Sequence, residues 1–150
     1  MSTVERLIAA YIDTTYWVVA QPEPIAVRIG FPNRSLDRAL AVHGVSRWAF
    51  ITAWNPHSKR RAHWFNAARH LALLRALRRA SFVWVTAVAQ GDAHDWPPEM
   101  GVLVLGIKHA QVRRLGRRFR QNAVVAGRRG GVAELVWCSR GEALGERREV

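Results

Sequence analysis

The run RWAFITAW, residues 47–54, most constrains the fold. It is too apolar and too rich in β-formers for a surface helix, and it reads as a central strand buried on both faces. GVLVLGI (101–107) reads as a second buried strand, and SFVWVTAVA (81–89) as a further strand. Shorter strands are expected at 15–19 and 25–30, and a hairpin at 122–127 and 132–137. RLIAAYIDTT begins as a short helix. Helices are expected at 33–44, capped by Asn33 or Ser35, at 59–80 with Ser58 as N-cap, and at 108–119. In the second of these, Ala67, Leu71, Leu74 and Leu77 form the expected buried stripe, and Arg61, Arg75 and Arg79 project from another side.

The strand and helix order is β-β-α-β-α-β-β-α-β-β, whose middle is the ferredoxin-like β-α-β-β-α-β unit. The expectation is an α+β, single two-layer domain over residues 1–137, with a mixed sheet and about three helices. Residues 138–150 lack an apolar period and read as a flexible C-terminal tail.

The chain has 150 residues, 49% hydrophobic, with seven tryptophans, enough for a globular core. The tryptophans mostly sit in strand patterns and read as core. A single cysteine, Cys138, excludes an intramolecular disulfide and a cysteine zinc cluster, and fits a reducing cytoplasm. Glu5 and Asp13 interrupt the N-terminal apolar segment, which is neither a secretory signal nor a spanning helix. The expectation is a soluble, cytoplasmic protein without a membrane partner.

Charge is the other strong feature. The chain carries 23 basic against 11 acidic residues, a net charge of +12, and among the basic residues only Lys59 and Lys108 are lysine. Five arginines fall within residues 113–120. On a helix, Val112, Leu115, Gly116 and Phe119 form one apolar stripe. Arg113, Arg117 and Arg120 form a second line, and Arg114 with Arg118 a third. No acidic residue occurs between Met100 and Val132. Unpaired arginines at this density repel one another and favour a bound anion or an acidic protein partner. Arg61, Arg75, Arg79, Arg113, Arg114 and Arg120 are the candidate nucleic-acid surface. With no ribonucleoprotein motif, GXXG loop or zinc-finger spacing, phosphate contact without base readout is the expected mode.

FITAWNPHS (50–58), FNAAR (65–69), DWPPEMGVLVLGI (95–107) and LGRRFRQNAVV (115–125) together resemble the bacterial family known as domain of unknown function 3293. The resemblance spans roughly residues 11–136 and brings no established activity. It implies polar site positions at Asn55, Ser58, Asn66, Arg69, Glu99, Arg117, Arg118, Gln121 and Asn122. Three departures stand out. Phe65 replaces a family glutamate, Met100-Gly101 replaces an acidic residue and a serine, and Arg120 replaces a glycine.

The residues themselves point to the same place. Asn55 and Ser58 follow the carboxyl end of a buried strand, where ligands of layered folds commonly bind. Gln121 and Asn122 join the last helix to its strand. Leu115 and Phe119 are expected in the core and Arg113 and Arg120 in solvent, with Arg117 or Arg118 turned inward to Glu99. Six scattered histidines give no metal site, and no cofactor motif is present.

The leading functional expectation is an anion-binding module for nucleic acid or nucleotide phosphate, using the arginine helix and the polar cluster. A second is an enzyme on a small phosphorylated or nucleotide substrate. There Glu99 is the acid or base, Arg69 and Arg118 clamp, and Asn55 and Gln121 orient. A third is an interaction module for an acidic protein.

Overall fold

A computed structural model describes residues 1–93 and 95–138. The tail from residue 139 and His94 lie outside the described residues. Helix α1 (Thr3–Ile12) leads into strands β1 (Thr14–Val18) and β2 (Ile25–Val27). Then follow α2 (Arg34–Val42), β3 (Arg47–Thr52), a 3-10 turn (Pro56–Ser58) and α3 (His63–Arg79). The chain continues through β4 (Val83–Gly91), β5 (Glu99–Leu105), α4 (His109–Arg118), β6 (Ala123–Arg128) and β7 (Glu134–Trp137).

The strands form one sheet in the order β2-β1-β4-β5-β3-β6-β7, and every pair of named strands is antiparallel. Alternation along β3 and β5 sends Ala49, Ile51, Val102 and Val104 to one face, packed with Leu73 and Leu77 of α3 and Val112 of α4. Trp48, Phe50, Leu103 and Leu105 go to the other face. They pack there with Tyr16 and Val18 of β1 and with Leu36 and Leu40 of α2. The sheet also curls. Gly30 N–H donates to Ala133 C=O at 2.8 Å, and bridges Ile29–Ala133 and Pro32–Val132 bring the chain after β2 against the entry to β7. These are the two edges of the sheet.

The α+β class stands, but the ferredoxin-like two-layer expectation does not. Four α-helices occur among the described residues, the sheet is antiparallel rather than mixed, and its seven strands curl into a half-barrel. β5 does insert between β3 and β4, but only as the middle of this larger sheet. Helices cover one face, while α2 and the sheet's own curl close the other. Two cores on two faces make a different architecture from two layers.

Helix α3 begins four residues later than expected, after Ala62, which makes no side-chain cap bond. Ser58 therefore does not cap it, and Arg61 does not lie on it. Its buried line is Asn66, His70, Leu73, Ala76 and Leu77, while Leu71 is exposed. Two polar residues occupy that line, which is why an apolar count misplaces it. Asn33 caps α2 by accepting from Leu36 N–H at 2.9 Å. Of the tryptophans only Trp48 is fully buried, and Trp64 is 74% exposed. No helix among the described residues is long and apolar enough to cross a membrane.

Candidate ligand site inside the curled sheet

The site begins where β3 ends. Thr52 Oγ1 donates to Met100 C=O at 2.6 Å and accepts from Trp54 N–H at 3.0 Å, turning the chain out of the ladder. Asn55, His57 and Ser58 then adopt left-handed backbone conformations, with φ of 46°, 55° and 59°. Asparagine tolerates that region better than most residues. Three such residues within four positions are a local concentration of backbone strain, which tends to mark working parts of proteins.

Asn55 is the hub. Its backbone N–H donates to Asn66 Oδ1 at 2.9 Å, and its Oδ1 accepts from Asn66 Nδ2 and from Arg61 N–H, both at 2.9 Å. Its Nδ2 donates to Glu99 Oε1 at 2.7 Å. Asn66, on the first turn of α3, thus pins the helix to the strand end. Glu99 Oε1 also accepts from Trp96 Nε1 at 2.9 Å, while Oε2 receives no hydrogen bond from a described residue. Desolvation raises the Glu99 carboxyl above its ordinary pKa, against the lowering pull of Trp96 and Asn55. The proton is therefore held more tightly than on an exposed glutamate.

The junction from α4 to β6 closes the other side. Buried Gln121 donates from Nε2 to Trp54 C=O and Phe119 C=O, each at 3.2 Å. Buried Asn122 donates from Nδ2 to Ser58 Oγ at 3.0 Å, and its Oδ1 is buried without a partner among the described residues. His57 N–H donates to Arg120 C=O at 2.7 Å, and Arg120 is itself left-handed at φ 54°. That conformation explains why the resemblance implies a glycine at this position.

Inside the curl Asn55, Ser58, Glu99 and Gln121 border a cavity of about 430 Å³. Its walls include the aromatic rings of Tyr11, Tyr16, Phe50, Trp54 and Trp96, and its polar end holds Glu99 with Gln121. Asp13, Asp92 and Asp95 also border it, and no lysine or arginine does among the described residues. Burial first, with Glu99 adding and the Ser58 hydroxyl opposing, pushes the Tyr11 hydroxyl up to about 12. Gly101 is needed here: a Cβ would sit 2.7 Å from the Phe50 ring and from Ile51 C=O. The serine of the family pattern does not fit beside this placement of Phe50. Behind Asp92, Arg28 makes a two-pronged pair with it, 3.0 Å in each prong, and also donates to Thr15 Oγ1 and Ile12 C=O. It joins the end of α1 to the loop after β4.

The expected positions thus divide. Asn55, Asn66 and Glu99 share one network, Ser58 meets Asn122, and Gln121 borders the same cavity. The arginines do not join them. Arg69 and Arg118 stack 5.1 and 5.6 Å from the Phe119 ring centre, and Arg117 Nε donates to Cys138 C=O at 2.6 Å. All five arginines from 113 to 120 are exposed. The expectation that Arg117 or Arg118 turns in to Glu99 is corrected, because α4 packs on the sheet face opposite the cavity. Phe119 is core, and Leu115 packs partly buried against it. Tyr11, Trp54, Trp96 and the Arg28–Asp92 pair were not anticipated. Trp96, in the DWPPEM motif three residues before Glu99, carried the clearest signal.

No curated protein matches the chain, and no solved structure does. Over residues 51–124, from within β3 to the start of β6, the chain matches the family model described as Protein of unknown function (DUF3293), the family that its motifs resemble.

Proposed function

We propose that the protein binds a small uncharged or cationic molecule in the cavity of the curled sheet, with Glu99 as the polar anchor. The observation that carries this reading is the lining itself: aromatic walls, a carboxylate held at one end, and no bordering lysine or arginine among the described residues. A volume of about 430 Å³ lies in the range of small-molecule sites. Phosphates and nucleotides are disfavoured by Asp13, Asp95 and Glu99, which border the cavity without a paired arginine among the described residues, whereas Asp92 is neutralised by Arg28. An enzyme reading uses the same site, with Glu99 as proton donor or acceptor to the bound molecule.

Native mass spectrometry of the purified protein, followed by thermal shifts with aromatic amines and their neutral analogues, tests this. Ala89 borders the cavity, and Ala89→Phe fills part of it. A ligand bound by the wild type and lost by a folded Ala89→Phe supports the reading. Binding that Ala89→Phe leaves unchanged, or no binding across the panel, removes it.

A second reading concerns the outside. The exposed arginines of α4 are free of ion pairs among the described residues, so they suit a polyanion such as nucleic acid. Affinity for short DNA or RNA should then fall steeply with salt. No binding at low salt, with recovery of an acidic protein instead, favours the protein-partner alternative.

A further inference from the structure

A different pair of arginines is unexplained by either reading. Arg47 and Arg128 are directly opposed partners in the β3–β6 pair. They share the register, hence the face, of Ala49 and Ala126, which pack toward α3 and α4. Like charges directly opposite one another destabilise a sheet. No carboxylate lies within ion-pair distance of either among the described residues. Arg47 is only half-exposed, so solvent screens it incompletely.

Both side chains border a hollow of about 200 Å³, together with His109, the first residue of α4. Ile107, Val112 and Ala126 form its apolar walls. Glu134 stands at the border as the single acidic residue and makes no ion pair among the described residues. The start of α4 adds its positive end to the same side. A like-charged pair, a histidine and apolar walls form a built pocket rather than a diffuse basic surface.

We propose that this hollow binds a phosphoryl oxyanion, with Arg47 and Arg128 bracketing the charge and His109 donating from the helix start. Planar guanidinium groups match the spacing of phosphate oxygens. The bound dianion would turn a repulsive cross-strand pair into an attractive bridge. The hollow lies on the helix-covered face, so the site is separate from the Glu99 cavity.

Inorganic phosphate and glycerol 3-phosphate are titrated into the full chain and compared with chloride at equal ionic strength, followed by amide NMR. The expected result is saturable shifts centred on Arg47, His109 and Arg128. Arg47→Gln and Arg128→Gln should each weaken binding at least tenfold, and Arg6→Gln, on exposed α1, should leave it unchanged. Tighter binding of glycerol 3-phosphate identifies an esterified ligand, and tighter binding of phosphate a free one. Without added anion the double variant should melt no lower than the wild type, since the repulsion is gone. Shifts no larger than those from chloride, or an equal loss in Arg6→Gln, would overturn the proposal. His109→Ala provides a further test outside the sheet register, and unchanged affinity in it removes the histidine from the site.

Discussion

The Asn55 side chain stands between Asn66 and Glu99, accepting from the first at 2.9 Å and donating to the second at 2.7 Å. One amide thereby fixes the start of α3 and the orientation of the cavity's carboxylate. It does so from a left-handed backbone position with 5% of its surface exposed.

Removing this amide should be costly. Asn55→Ala removes the Asn55 side-chain bonds to buried Asn66, to Glu99 and to the Arg61 N–H, at about 1–3 kcal/mol for a buried group left unpaired. Alanine also carries the left-handed penalty, about 1 kcal/mol or more, which glycine avoids. Urea denaturation should rank wild type above Asn55→Gly and Asn55→Gly above Asn55→Ala. Equal stability of the two variants would show that backbone strain at 55 is unimportant.

Glu99 sets a pH dependence with a definite sign. Burial raises its folded pKa above the ordinary value, so the folded state holds the proton more tightly than the unfolded chain. That contribution is complete below the ordinary carboxylate range and is lost as pH rises through the folded pKa. Glu99→Gln keeps an oxygen for Asn55 and Trp96 and is neutral at all pH values. Its stability should therefore gain on the wild type between about pH 4 and about pH 8. The measurement is chemical denaturation of both proteins at these two pH values, and a constant difference contradicts the expectation.

Arg120 sits at φ 54° on an exposed surface, and its carbonyl, not its side chain, binds His57 N–H. Arg120→Gly keeps that bond and removes the left-handed penalty, partly offset by the greater freedom of unfolded glycine. A net gain of about 0.5–1 kcal/mol in denaturant unfolding is expected. A net loss would mean that the arginine side chain contributes to the fold.

Gly116 lies inside α4, where alanine is ordinarily favoured by about 1 kcal/mol. Here an added Cβ runs into the Cys138 sulfur and comes 3.3 Å from a Val124 methyl. Gly116→Ala should therefore destabilise by about 1–3 kcal/mol, as overpacked cores do. Combining it with Cys138→Ala removes the sulfur and should recover part of the loss. Additive effects of the two changes would place the clash elsewhere.

Much of this protein was legible in its residues. RWAFITAW and GVLVLGI had to be buried on both faces, and they are adjacent central strands. The order of strands and helices, the final hairpin and the Asn33 cap followed from period and turn chemistry. The family resemblance implied polar positions at Asn55, Ser58, Asn66, Glu99, Gln121 and Asn122, and each lies in the strand-end network or against the cavity. Their identities are informative because small polar residues at strand and helix ends must satisfy backbone and side-chain partners when buried.

Other features are decided by contacts distant in sequence. The sheet closes on itself through the meeting of Gly30 with Ala133, which no local pattern encodes. That curl creates the cavity and puts α4 on the opposite face, so the arginines cannot reach Glu99. The buried line of α3 runs through Asn66 and His70, whose burial depends on the tertiary surroundings rather than on their hydrophobicity. The opposition of Arg47 and Arg128 likewise depends on strand register, set 81 residues apart in the chain. Local chemistry chose the elements and their polar ends; long-range pairing chose which of those ends share a space.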